Sequence, residues 1–388
     1  MLTLISGGEL LTPAPAGRAD IVSCGGRIAV VGAVNAAALD ATGIAIDRID
    51  ASGCVVIPGL IDPHQHLIGG SGERGYNTQT PEVRIGEIVE AGITTVVGCL
   101  GVDTTTRTMP ALLARAKALQ ADGVTAFIYT GGYNVPPTTL TGSVRTDLMF
   151  VAEVIGAGEV AISDCRSTDP TIAELSRLVR DAANGGRLSG KAGVTHFHVG
   201  DEPSGLAPLR RLLDDCHIDP ELLYPTHVER REPLMREAVE LTKRGVTIDV
   251  DVVERDLSRW LRYFMDHDGV LDRLTASSDA SITSPVALLD QVRQCVRDLR
   301  MPLDRVLPMV TSNTARVLKL ACKGRIAVGA DADLAVLTRD SLELRAVVAR
   351  GRVLMKDGRV AVRDAWLDDS DRSFSINGKK TAPAPAHA

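Results

Sequence analysis

From residue 58 to residue 320, short runs of β-branched and apolar residues alternate with stretches whose apolar positions recur at helical spacing. That texture is expected of a parallel sheet covered by helices, an α/β architecture. The runs predict strands at Val55–Asp62, Thr94–Cys99, Thr125–Tyr129, Val160–Ser163, Val194–His198, Leu223–His227, Thr247–Val252 and Leu274–Ser278. Helices are expected between them, as at Glu82–Ala91, Ile172–Asn184 and Leu234–Arg244, with Gly92, Gly185 and Gly245 placed to end them in a left-handed residue. Eight strands in about 220 residues fit a (β/α)₈, TIM-like barrel. An open doubly wound sheet fits less well, because no Gly-x-Gly-x-x-Gly turn opens the first unit.

The two ends of the chain read differently. Leu2–Ser6, Ile21–Ser23 and Ile28–Val31 are short apolar runs punctuated by Gly7-Gly8 and Gly25-Gly26. Leu334–Leu337, Ala346–Ala349 and Arg352–Met355 repeat the pattern. Neither group has enough strands for a sheet of its own. Residues 1–57 and 321–370 are therefore expected to pair into one small flanking β-sandwich domain beside the 58–320 barrel. Residues 371–388, ending Thr381-Ala-Pro-Ala-Pro-Ala-His-Ala, read as a disordered tail.

Composition narrows the partners. Aromatic residues are 3% of the chain and the formal net charge is −6, so neither stacking platforms nor a phosphate-backbone surface is expected, and no nucleic-acid partner. No apolar run approaches the ~18 residues that cross a bilayer, and Met1–Leu11 lacks a basic leader, so no membrane segment or signal peptide is expected. Seven scattered cysteines with no Cys-x-x-Cys spacing suit reduced thiols in a cytoplasmic protein.

The chemistry collects at strand ends. His64 and His66 follow Pro58-Gly59-Leu60-Ile61-Asp62, and residues two apart on a strand share a face. His198, His227 and Asp279 close three later strands. Strand C-termini of a barrel converge on one mouth. Imidazole and carboxylate there suit a divalent ion such as Zn²⁺ and the activation of water, although the same donors accept Mn, Fe, Co or Ni. His196 shares a face with His198 but lies deeper, where packing is expected. His217, His267 and His387 fall outside the pattern.

This arrangement resembles the amidohydrolase superfamily, and within it the isoaspartyl (β-aspartyl) dipeptidases, over nearly the whole chain. The finer resemblance rests on residues 66–73 (HLIGGSGE), 130–136 (TGGYNVP), 161–167 (AISDCRS), 197–201 (FHVGD) and 225–230 (PTHVER). It implies hydrolysis of the amide of a small acidic dipeptide by a homo-oligomeric enzyme with two divalent ions bridged by a hydroxide. His64, His66 and Asp279 would hold one ion, His198 and His227 the other. Asp279 would also carry the proton from water to the leaving amine, and Tyr133 would donate to the developing oxyanion. Glu73 suits a substrate α-amino group, and Arg166 and Arg230 suit carboxylates.

The chain departs from that family in three places. Glu159 stands where a carboxylated lysine normally bridges the ions; it supplies two oxygens and one charge on a shorter arm, and is expected to bridge them. Val102 replaces a threonine. Thr283 follows Asp279 where a serine hydroxyl normally binds carboxylate, and can supply that hydroxyl. Two other readings stay open: a dihydroorotase- or hydantoinase-like hydrolase of cyclic amides, and a non-catalytic scaffold that has lost the lysine.

Overall fold

A computed structural model describes residues 2–70 and 72–372, together with the backbone of Ser375–Ile376 and Lys379–Lys380. Eight parallel strands run at Leu60–Gln65, Ile93–Gly98, Thr125–Thr130, Val154–Ile162, Val194–Val199, Leu223–Thr226, Ile248–Asp251 and Leu274–Ser277, with helices between most of them. The first six form one sheet and the last two pair with each other. The curl closes where Gln65 bridges Ala280 and the His66 amide donates to the Ala280 carbonyl at 2.9 Å. Asp62, fully buried, reinforces the seam: its Oδ1 accepts from the Ser278 amide at 3.1 Å and its Oδ2 from Gln65 at 2.7 Å.

Most of the expected elements are present, and the differences have local causes. The run Val55–Asp62 is two strands. Cys54–Pro58 joins the flanking sheet by pairing with Leu334–Thr338, and only Leu60–Gln65 enters the barrel. The break falls at Gly59, where a Cβ would sit 2.3 Å from Thr94 Oγ1. The fourth strand begins at Val154, six residues before the expected start, because Gly156 and Gly158 dilute its apolar pattern. Both glycines are needed: a Cβ at either would lie 2.6 Å from a carbonyl of the Val194–Val199 strand.

Gly92 and Gly245 do take left-handed conformations at helix ends. Gly185 does not. The helix opened by the Thr171/Glu174 capping box continues through it to Ser189 and ends at Gly190. Gly185 and Gly186 serve close packing instead, since a Cβ on Gly186 would lie 2.6 Å from the Gly193 Cα.

Both chain ends build one nine-stranded sheet, in which Leu2–Leu11 pairs with Pro15–Cys24, Ile46–Asp50 and Cys54–Pro58, while Leu334–Thr338 joins the C-terminal strands to Cys54–Pro58. Its wings share a core of Ile5, Ile21, Ile28, Val56, Val336 and Val348. Ser375–Ile376 pairs with Lys379–Lys380; the rest of the expected tail beyond Arg372 lies outside the described residues. No helix among the described residues is long and apolar enough to cross a membrane.

Candidate metal centre

The strand ends bring His64, His66, Glu159, His198, His227 and Asp279 to one point at the barrel mouth. His64 Nε2 lies 3.3 Å from Glu159 Oε2 and 3.4 Å from Asp279 Oδ1, and His66 Nε2 lies 3.1 Å from Asp279 Oδ1 and 3.5 Å from Glu159 Oε1. Across the site, His198 Nδ1 and His227 Nε2 face Glu159 Oε2 at 3.3 and 3.7 Å. One carboxylate thus has an oxygen toward His66 and the other toward His198 and His227.

How the shorter glutamate reaches the centre is visible in the strand register. Ala157 pairs with Thr195 and Val160 with Phe197, so Gly158 and Glu159 together oppose the single residue His196. An extra residue of this kind forms a bulge that re-aims a side chain. The backbone makes a comparable adjustment at His227 and Asp279, whose φ values of 63° and 46° are left-handed. Such non-glycine conformations cost of order 1–3 kcal/mol each and persist where surrounding structure holds them.

The donors fit divalent metal. Both ring nitrogens of His64, Glu159 Oε1 and Asp279 Oδ1 are buried without a hydrogen-bond partner among the described residues, a cost that a cation would remove. Burial disfavours protonated His64 and His66, yet Cys99 and Asp279, with Glu159 at His64, outweigh it and raise both imidazoles well above their usual range. Burial likewise opposes ionised Glu159 and Asp279, but the surrounding histidines win and lower both carboxyls. The pocket is organised to hold positive charge between two ionised carboxylates.

Three participants were not assigned a role from the sequence. Behind His198, Asp164 Oδ2 lies 3.0 Å from Nε2; behind His227, Asp251 Oδ2 accepts from Nδ1 at 2.6 Å. A carboxylate behind each imidazole fixes the ring and its tautomer. Burial works against protonation of His227, but Asp251 and Glu159 push it up to about 9. Glu229 lies beside this pair, 5% exposed, and burial together with repulsion from Asp251 holds its carboxyl well above the ordinary range. Asp164 and Glu229 lay inside motifs noted for their arginines, while Asp251 sits among other acidic residues, so only the fold distinguishes them. Cys99 also borders the cluster, with Sγ 3.8 Å from His66 Nδ1. His196 is stacked on Tyr129 and reaches the Tyr224 carbonyl at 3.0 Å, the expected packing position.

The remaining candidates lie around the centre with different partners. Tyr133 places its hydroxyl 2.8 Å from His198 Nδ1; burial, then the Glu159 charge, raise the phenol well above its usual range and keep its proton in place. Arg166 forks onto Asp164 at 2.8 and 2.7 Å, pairs with Glu73 at 2.8 Å and packs over the Tyr133 ring. Arg230 lines a cavity of about 610 Å³ with His227, Glu229, Asp251 and Asp279. Thr283 is half-buried on the loop after Asp279 and is not among the lining residues of that cavity.

A barrel whose strand ends carry histidines and acidic residues around a cation site defines a class, and residues 55–360 match the amidohydrolase family. The chain belongs to that family. Its resemblance to the isoaspartyl dipeptidases extends to structure. A β-aspartyl dipeptidase from Fervidobacterium islandicum AW-1 is 39% identical, with a TM-score of 0.88 over 93% of this chain and 98% of that one. The same enzyme in complex with the β-Asp-Leu dipeptide matches at 38% identity and a TM-score of 0.87 over the same shares. A D-hydantoinase, at 19% identity and a TM-score of 0.61 over 94% of this chain and 97% of that one, shares the fold.

Curated relatives are more distant, and the alignments span less than two-thirds of their lengths. Imidazolonepropionase from Caulobacter vibrioides is 34% identical over 30% of this chain and 29% of its own. Adenine deaminase 2 from Rhizobium johnstonii is 28% identical over 96% of this chain and 60% of its own.

Proposed function

We propose that this protein hydrolyses the amide bond of β-aspartyl dipeptides with the help of two divalent metal ions. The observation that carries this reading is the 39% identity to a β-aspartyl dipeptidase over 93% of the chain, together with a six-residue donor cluster at the barrel mouth. His64, His66 and Asp279 would hold one ion, His198 and His227 the other, and Glu159 both. Divalent ions in such a centre polarise the scissile carbonyl and make water nucleophilic near neutral pH.

The chain's own residues supply the rest. Asp279 has an unpartnered Oδ1 and lines the cavity, so it takes the proton of the attacking water and returns it to the leaving nitrogen. Tyr133, protonated and close to His198, donates to the carbonyl oxygen as negative charge develops there. Arg166, Glu73, Arg230 and Thr283 recognise the charged ends of the dipeptide. Glu73 and Arg166 exchange their mutual ion pair for the substrate's ammonium and carboxylate, which keeps their charges matched with and without substrate.

Steady-state assays with β-Asp-Leu and with dihydroorotate, each with and without added Zn²⁺, test the reading. Metal-dependent turnover of the dipeptide is expected. Turnover of dihydroorotate alone would make the enzyme a cyclic-amide hydrolase, and no turnover at full metal occupancy would make it a scaffold.

A further inference from the structure

The cavity beside His227 has an unusual charge balance. Apart from Asp279, it is lined by the carboxyls of Asp201, Glu229, Asp251, Glu254 and Asp256, against the guanidinium groups of Arg230 and Arg259. Both arginines already face acids: Arg230 approaches Asp201 at 3.7 Å, and Arg259 lies 3.6 Å from Glu232 and 3.7 Å from Asp256 while stacking on Trp260.

Excess acid on an exposed rim is ordinary. Glu229 is not on the rim. It is 5% exposed, and its Oε2 is buried with no hydrogen-bond partner among the described residues. Asp256, on the opposite loop, has an Oδ1 in the same condition. Asp251 between them accepts from His227 through one oxygen and from the Val253 amide at 2.9 Å through the other, and the Glu229 carboxyl, held above its ordinary range, also bonds to it. Buried carboxyl oxygens without donors are costly, and Glu229 Oε2 and Asp256 Oδ1 both belong to residues lining the one cavity that opens onto the metal centre.

We infer that this cavity receives a cationic side chain on the leaving amino acid of the substrate, an ammonium or guanidinium that donates to Glu229 and Asp256. The inference deepens the dipeptidase reading and rests on it for the identity of the acyl part. Arg230 meets the α-carboxylate of the same amino acid, while the acidic wall meets its side chain. An apolar side chain would leave both oxygens without donors, and an acidic one would be repelled. Discrimination of this kind is strong because the wrong ligand leaves buried polar groups unpaired.

Calorimetric titration of the metal-loaded protein with L-lysine and with L-norleucine is the first test. The two amino acids share their α-ammonium and α-carboxylate, so the difference reads the side chain alone. Lysine is expected to bind about tenfold tighter or better, and both Glu229→Gln and Asp256→Asn should reduce that ratio. Equal affinities, or a ratio untouched by both substitutions, would overturn the inference. So would a third metal ion per chain that Glu229→Gln removes, since the cation would then be inorganic. The kcat/KM ratio of β-Asp-Lys over β-Asp-norleucine should follow the binding ratio. If neither dipeptide is hydrolysed, the dipeptidase reading fails while the titration still decides the pocket.

Discussion

His227 and Asp251 are joined by a 2.6 Å hydrogen bond from Nδ1 to Oδ2, which leaves Nε2 as the nitrogen facing Glu159. Removing the acceptor frees the ring to rotate or change tautomer. Asp251→Ala should weaken binding of the ion proposed on that side by about 10–100-fold, the usual cost of losing a partner behind a ligand. Competition with a chelator measures it, and unchanged affinity would mean the bond does not position the ligand.

Glu159 reaches both histidine pairs, so its loss should be felt at both of the proposed ions. Glu159→Ala is expected to lower bound metal from two ions per chain to one or none, by elemental analysis of protein prepared without chelator. Retention of two ions would show that the bridge is supplied elsewhere.

Asp279→Asn separates ligation from proton transfer. The amide retains one oxygen donor but cannot accept a proton from water, so kcat should fall by about 10²–10⁴-fold while most of the metal remains. A small loss of kcat at full metal occupancy would remove Asp279 from the proton path.

Two substitutions far from the centre test the packing. Helix propensity alone says that Gly186→Ala should stabilise the helix by about 1 kcal/mol. The new Cβ would meet the Gly193 backbone at 2.6 Å, which cannot retreat as a flexible side chain would. Net destabilisation of about 1–3 kcal/mol is therefore expected in urea unfolding.

Lys323 is 8% exposed, with Nζ within 2.5 Å of Asp333 and 2.9 Å of Asp331. Lys323→Met should cost about 3–5 kcal/mol, because it strands the buried Asp333 carboxylate, whereas Asp331 keeps Arg27 at 2.7 Å. An unchanged unfolding midpoint would mean that water already screens the cluster.

Much of this design is legible in the chain. His64-x-His66 and the strand-terminal His198, His227 and Asp279 announce themselves, because residue type, strand pattern and barrel geometry all converge on the mouth. Glu159 is legible only as a substitution within a resemblance; the bulge that brings it inward depends on pairing with a distant strand. Asp164 and Asp251 are invisible in sequence for a similar reason. Their meaning comes from the imidazoles they back, and nothing local distinguishes them from surface acids. Gly185 misleads because glycine marks close approach as often as chain reversal, and only a neighbour in space tells which applies.

The seam at Asp62, Gln65 and Ala280 joins the first barrel strand to the segment after the last, and the donor set straddles it with His64 and His66 on one side and Asp279 on the other. Positions more than two hundred residues apart must therefore meet before the full donor set exists. A nascent or truncated chain lacking the eighth strand has no Asp279 to offer, so hydrolytic competence becomes a property of the finished barrel alone. Closure of the barrel and completion of the donor set are then the same event.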